Sequence, residues 1–199
     1  MKQYLRISLI LMLFFTVFLG LVYPYFINRI GYVFFRNKIH GSLIYDKDNN
    51  VIGSALIGQS FFSDKYFHSR PSKAGKDGYD AAHSSGSNFG PTSKILQAQV
   101  KENAEKYRLV NHLSSDIPLP ADAITFSASG LDPDISLENA LLQVPRVAQA
   151  RDMVEEKLRL LVINYAEEKK FNIIGERRIN VLKFNRLLDK LTEEHNKRY

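Results

Sequence analysis

The sequence predicts an α+β protein made of one transmembrane helix and one soluble domain with a short antiparallel sheet and several helices. Three observations carry this. From Ile7 to Asn28 no side chain is charged. The segment from Gly41 to Ile57 reads as two short apolar strands about a polar turn, and the second half repeats its apolar residues at helical spacing.

The N-terminal run comes first. Residues 7–28 are 22 in number, and at 1.5 Å per residue a helix of that length spans roughly 30 Å, the thickness of a bilayer's hydrocarbon layer, with its backbone groups satisfied internally. Tyr4, Tyr23, Tyr25 and Tyr32 flank it where interfacial aromatics sit, and Arg6 and Arg29 bracket it with charge. A cleaved signal peptide would need small residues at its end, whereas Val22-Tyr-Pro-Tyr-Phe26 is bulky, so an uncleaved anchor over 1–28 is expected. Lys2, Arg6 and the amino terminus face Arg29, Arg36 and Lys38 across the run, and this near-tie leaves orientation open. A juxtamembrane connector over 29–40 and a soluble domain over 41–199 follow, the latter large enough for a core of its own.

Within the domain, Gly41–Tyr45 and Val51–Ile57 form the expected hairpin about Asp46-Lys-Asp-Asn-Asn50. Residues 63–93 are rich in Ser, Gly, Asp, His and Pro and read as a long ordered loop, anchored by Tyr66, Phe67, Tyr79 and Phe89. That loop is either a solvated insertion or a partner-binding surface. Ser93 caps a helix to about Tyr107, with Ile95, Leu96, Val100 and Ala104 as its buried stripe. Asp132-Pro-Asp-Ile-Ser136 reads as a turn delivering a helix from Leu137, and Pro145 is expected to break that helix into two pieces at an angle. Leu158, Leu161, Val162 and Tyr165 mark one more core helix, and Val181, Phe184, Leu187, Leu188 and Leu191, after an Asn180 cap, mark another.

Chemistry is sparse. The net charge of +6 is spread among acidic neighbours, as in Glu155-Glu156-Lys157-Leu158-Arg159, which suits solvated helix faces rather than a nucleic-acid surface. With no cysteine, disulfides and thiolate chemistry are excluded. There is no Gly-x-x-x-x-Gly-Lys-Ser/Thr loop and no Asp-Lys-Thr-Gly-Thr phosphorylation signature. His40, His68, His83, His112 and His195 make no paired metal-ligand spacing, so no metal is expected. Asp132 and Asp134 suit backbone capping better than a cation, and Ser127 and Ser129 lack the nucleophile elbow of a hydrolase.

Five ordered segments then point to one family: Gly53–Phe61, Tyr66–Ser72, Ser85–Asn88, Thr125–Ser136 and Gln143–Arg151, continued by Asn180–Leu191. Together they resemble the C subunit of Kdp-type potassium-transporting P-type ATPases over nearly the whole chain. Phe126, in place of a small residue, and Asp134, in place of histidine or another polar residue, depart from the family pattern. The resemblance implies an accessory, non-catalytic subunit with a single extracytoplasmic domain in the plasma (inner) membrane. Its implied partners are a channel-like potassium-binding subunit, the P-type ATPase subunit, a small single-helix subunit and membrane lipid, with no nucleic acid. It implies stabilisation of the assembly and, as the family is described, a catalytic chaperone that raises the pump's ATP affinity. No tightly bound cofactor is implied, and ATP would be met through the partner pump subunit. Gln59, His68, Arg70, Asn88, Gly130, Asp132, Pro145 and Arg146 are the matched positions expected to serve as scaffold or docking residues. The alternative is a single-pass extracytoplasmic binding or sensor module, which shares the anchor and hairpin but not the ordered motifs.

Overall fold

The computed structural model describes residues 1–169, 171 and 173–196, the last three by backbone alone. It divides into two compact units, Met1–Leu43 and Ile44–Tyr199.

The first unit is helical. α1 (Lys2–Val17) runs through one π turn (Phe18–Val22) into α2 (Tyr23–Phe34), and a short α3 (Arg36–Ile39) follows. At the π turn the amide of Tyr23 donates to the carbonyl of Phe18, five residues back rather than four. The stretch Lys2–Phe34 is 33 residues long, none of its most apolar window is buried, and its length and apolarity suffice to cross a membrane. The helix therefore continues into the segment expected to be a connector.

The hairpin follows, β1 (Leu43–Tyr45) and β2 (Val51–Ser54), closed by the Asp46 amide donating to Asn50 O at 2.9 Å and by the Asp46 carboxylate accepting from the Asn50 amide at 2.7 Å. No helix or strand lies between Ser54 and Lys94. α4 (Lys94–Val110), α5 (Ala121–Ile124), β3 (Asp134–Ser136), α6 (Leu137–Ala150), α7 (Glu155–Tyr165), β4 (Arg178–Asn180) and α8 (Val181–Asn196) complete the second unit. β3 and β4 pair antiparallel, with Ile135 opposite Ile179. The described strands thus make two separate two-stranded sheets rather than one.

Three further differences from the sequence reading appear, the first two with physical causes. The segment Asp132–Ser136, expected to be a turn, is a strand in its second half because Ile135 is drawn inward against Ile179, both nearly fully buried. α6 is one continuous helix through Pro145 and not two pieces. Pro145 occupies an exposed position, while Val144, Arg146, Val147 and Ala148 on either side are buried, so packing holds the helix together across the missing donor. α4 has no fully buried residue, and Ile95, expected in its stripe, is 57% exposed.

The caps follow sequence. Ser93 Oγ accepts from the Leu96 amide, Ser136 Oγ from Asn139 at 3.1 Å, and Asn180 Oδ1 from Lys183 at 3.1 Å. The core gathers Phe67, Ile135, Val144, Val147, Leu158, Val162, Ile179, Phe184 and Leu188. Phe184 sits at its centre, its ring 5.1 Å from that of Phe67 and 4.8 Å from that of Tyr165. Phe184→Ala is expected to cost about 3–5 kcal/mol of stability, read as a lowered urea midpoint with an unchanged slope.

Candidate functional site

Six of the eight expected residues gather into two groups around the long loop that precedes α4. In the first group Arg146, on the inner face of α6, is 4% exposed. Its guanidinium donates to Asp64 O at 2.7 Å, Tyr66 O at 3.0 Å, Asn111 Oδ1 at 2.9 Å and Gln143 Oε1 at 2.9 Å. All four acceptors are neutral, so the fork serves as a multi-donor clamp rather than half of an ion pair. Gln143, one helical turn earlier, receives the His68 amide at 2.7 Å and donates to the His68 carbonyl at 3.1 Å. Its remaining hydrogen goes to Asn139 Oδ1 at 2.9 Å, an atom that also accepts from the Tyr107 hydroxyl at 2.7 Å. Burial pushes the Tyr107 phenol up, so it stays a neutral donor.

From α8, Asn185 treats the preceding residue the same way, accepting from the Phe67 amide at 2.8 Å and donating to its carbonyl at 2.9 Å. Two side-chain amides thereby replace a neighbouring strand for the backbone of Phe67 and His68.

His68 Nε2 lies 3.2 Å from Ser63 O and 3.4 Å from Arg146 Nη1. Burial, and then the adjacent guanidinium, hold its imidazole below the ordinary histidine range.

The second group joins the loop to the segment before β3. Arg70 Nη1 meets Asp132 Oδ2 at 2.7 Å. Ser72 Oγ donates to Gly130 O at 2.6 Å and accepts from the amides of Ala74 and Tyr79. The Tyr79 hydroxyl donates to Arg70 O at 2.7 Å, and burial pushes its pKa up to about 12. Gln59 Nε2 donates to Ile52 O at 2.9 Å, tying the hairpin to the loop, while its backbone carbonyl accepts from Ser69 Oγ. Gly130 has φ +67°, and a Cβ there would lie 2.6 Å from Ser85 O and 2.7 Å from Ala74 N, so glycine is required twice over. Asn88, exposed at φ 52°, and Pro145 lie outside both groups.

Between the loop and α4 a cleft of about 380 Å³ is lined by Phe61, Arg70, Tyr79, Lys106 and Tyr107 among others. A second, of about 550 Å³, is more polar and includes Asp132, Asp134, Arg177 and Arg178. Burial raises the Asp134 carboxyl even though Arg178 stands 3.2 Å away.

Residues 5–190 match the family described as KdpC, the c chain of K+-transporting ATPase. The chain belongs to that family. The potassium-transporting ATPase KdpC subunit of Mycobacterium tuberculosis is 48% identical over 96% of this chain and all of its own length. Those of Caulobacter vibrioides and Rhodopseudomonas palustris are 48% and 45% identical, each over 95% of this chain and 94% and 98% of their own lengths. The chain is thus a subunit of a potassium-transporting ATPase, and six of its eight matched positions tie the loop to the rest of the domain.

Asn139, Gln143, Asn185, Tyr107 and Asn111 were not singled out from sequence. Asn185 left a signal, since it interrupts the apolar face of Val181, Phe184 and Leu188. So did Gln143, which stands inside the Gln143-Val-Pro-Arg motif.

Gly130→Ala is expected to destabilise the domain by about 1–3 kcal/mol, measured by thermal or urea unfolding. The pKa of the His68 imidazole is lowered in the fold, so its contribution is complete above the unfolded pKa of about 6.5 and is lost as pH falls below that value. His68→Gln should flatten this acid limb in unfolding midpoints taken from about pH 7.5 to about pH 5.

Proposed function

We propose that this chain is the accessory, non-catalytic subunit of an ATP-driven potassium uptake complex. The helix Lys2–Phe34 anchors it in the plasma (inner) membrane, and the domain lies on the extracytoplasmic side, docked over the potassium entrance of a channel-like partner and holding the assembly together. The single observation that carries this reading is the use made of the family motifs. Arg146, Gln143, Arg70, Asp132 and Gly130 are occupied in fixing the loop before α4 in one conformation. Side chains committed to their own chain in this way serve as a frame for a surface, and preformed surfaces dock with little ordering cost.

The P-type pump subunit performs the ATP chemistry in this reading. An effect on its ATP affinity is then a coupling free energy passed through the assembly, since an extracytoplasmic domain does not meet nucleotide in the cytoplasm. ATP is met only through that subunit, and no cofactor is held by this chain.

Purification of the tagged chain in mild detergent should recover the channel-like and pump subunits with it, and cells lacking the chain should lose growth on limiting potassium. Protease added to intact spheroplasts should remove the domain, and a photoreactive ATP analogue supplied inside sealed cells should leave it unlabelled. Recovery of the chain without companions would overturn the docked, assembly-holding role, and labelling by the analogue would overturn the topology.

A further inference from the structure

The loop between α7 and β4 has a closed base and an apolar tip. At the base the Glu167 amide donates to Arg178 O at 2.9 Å, and the Arg178 amide donates to Glu167 O at 3.3 Å. Arg178 and Arg177 also pair with the carboxylates of Glu167 at 3.2 Å and Glu168 at 2.9 Å, and Arg177 donates to Ile163 O at 2.9 Å. Beyond this staple Phe171, Ile173 and Ile174 are 88%, 81% and 64% exposed, with the exposed Lys169 beside them. Large apolar side chains held out by an ion-paired stem are not a fraying segment's composition, and nothing in the core uses them.

We propose that this tip is an interfacial membrane contact, in which Phe171, Ile173 and Ile174 enter the headgroup and acyl boundary of the bilayer that anchors the chain. Three features favour lipid over a protein partner.

The loop is rooted beside the point where the chain enters the domain. Asn180, at the end of β4, donates to Ala55 O at 2.9 Å just past the hairpin, and a Cβ at Gly53 of β2 would lie 2.9 Å from Leu182.

Eight residues separate the end of α2 at Phe34 from the start of β1 at Leu43, a length of chain that reaches at most about 32 Å. The anchor therefore tethers the domain through a short connector.

Three side chains fall far short of the about 1,200 Å² that a stable protein interface buries. They are enough where a tether already supplies an effective concentration of about millimolar, and an apolar tip with a lysine at its edge suits the boundary between acyl chains and headgroups.

The inference rests on the reading of Lys2–Phe34 as a membrane anchor, and the test separates the two. The chain has no tryptophan, so Phe171→Trp, Ile173→Trp and, as a control, Leu109→Trp each place one indole reporter. Leu109 is 77% exposed on α4, an element separate from the loop in sequence. The full chain carrying each substitution is reconstituted into vesicles of phosphatidylcholine and phosphatidylglycerol, with and without brominated acyl chains. The two loop reporters should emit at shorter wavelength than the control on α4, be quenched several-fold more strongly by brominated lipid, and be shielded from iodide.

Iodide quenching of the Phe171→Trp variant equal to that of Leu109→Trp, with the protein retained after alkaline carbonate, overturns the lipid contact and leaves the anchor standing. Release by carbonate overturns both. A blue shift without bromine quenching, appearing only with the other subunits or rising with protein concentration, also overturns it and assigns the tip to a protein neighbour.

Discussion

The buried guanidinium of Arg146 is the constraint on which the domain's shape depends. It brings one cation into a region where water is excluded and answers it with two backbone carbonyls and two amide oxygens, so the chain that supplies those carbonyls has to be where it is. Removing any acceptor leaves a charged donor unmatched in the interior, which makes alternative loop conformations expensive. The Asp64–His68 backbone is thereby fastened to α6, and through Asn111 to the end of α4.

A loop of nearly forty residues without helix or strand, between Ser54 and Lys94, has many backbone polar groups to satisfy. Gln143 and Asn185 solve this where the chain goes deepest, each presenting a donor and an acceptor in the spacing of a peptide group. Nearer the surface Ser72 does similar work with one hydroxyl, accepting from two amides while donating to Gly130 O. Phe67 can then be fully buried against Phe184 although the residues that follow it in sequence are polar. The family motifs and the core are consequently one structure.

The sequence made legible what depends on neighbours in the chain. The N-terminal apolar helix, the Ser93 and Asn180 caps and the inward faces of α7 and α8 were all visible in local patterning. What depends on distant partners was not. The strand at Asp134–Ser136 exists because Arg178–Asn180 lies beside it, more than forty residues away. Pro145 is harmless because its side of α6 faces solvent, a fact that helical spacing alone does not reveal when the proline is read as a breaker. The amide clamps were hidden for a similar reason: a glutamine or asparagine on a helix looks like surface until the chain opposite it is known. Asn88 and Pro145 share the motifs of the other six residues without touching their network, so motif membership alone did not distinguish them.

The π turn at Phe18–Val22 has its own consequence for the N-terminal apolar helix. One extra residue in a turn rotates everything after it by about 100° relative to a regular helix. Side chains of α1 and α2 that a uniform helical wheel would stack on one stripe therefore point in different directions. Any map of which lipid or helix neighbours the segment must be drawn as two phased halves joined at Gly20, or it will assign half of the residues to the wrong side.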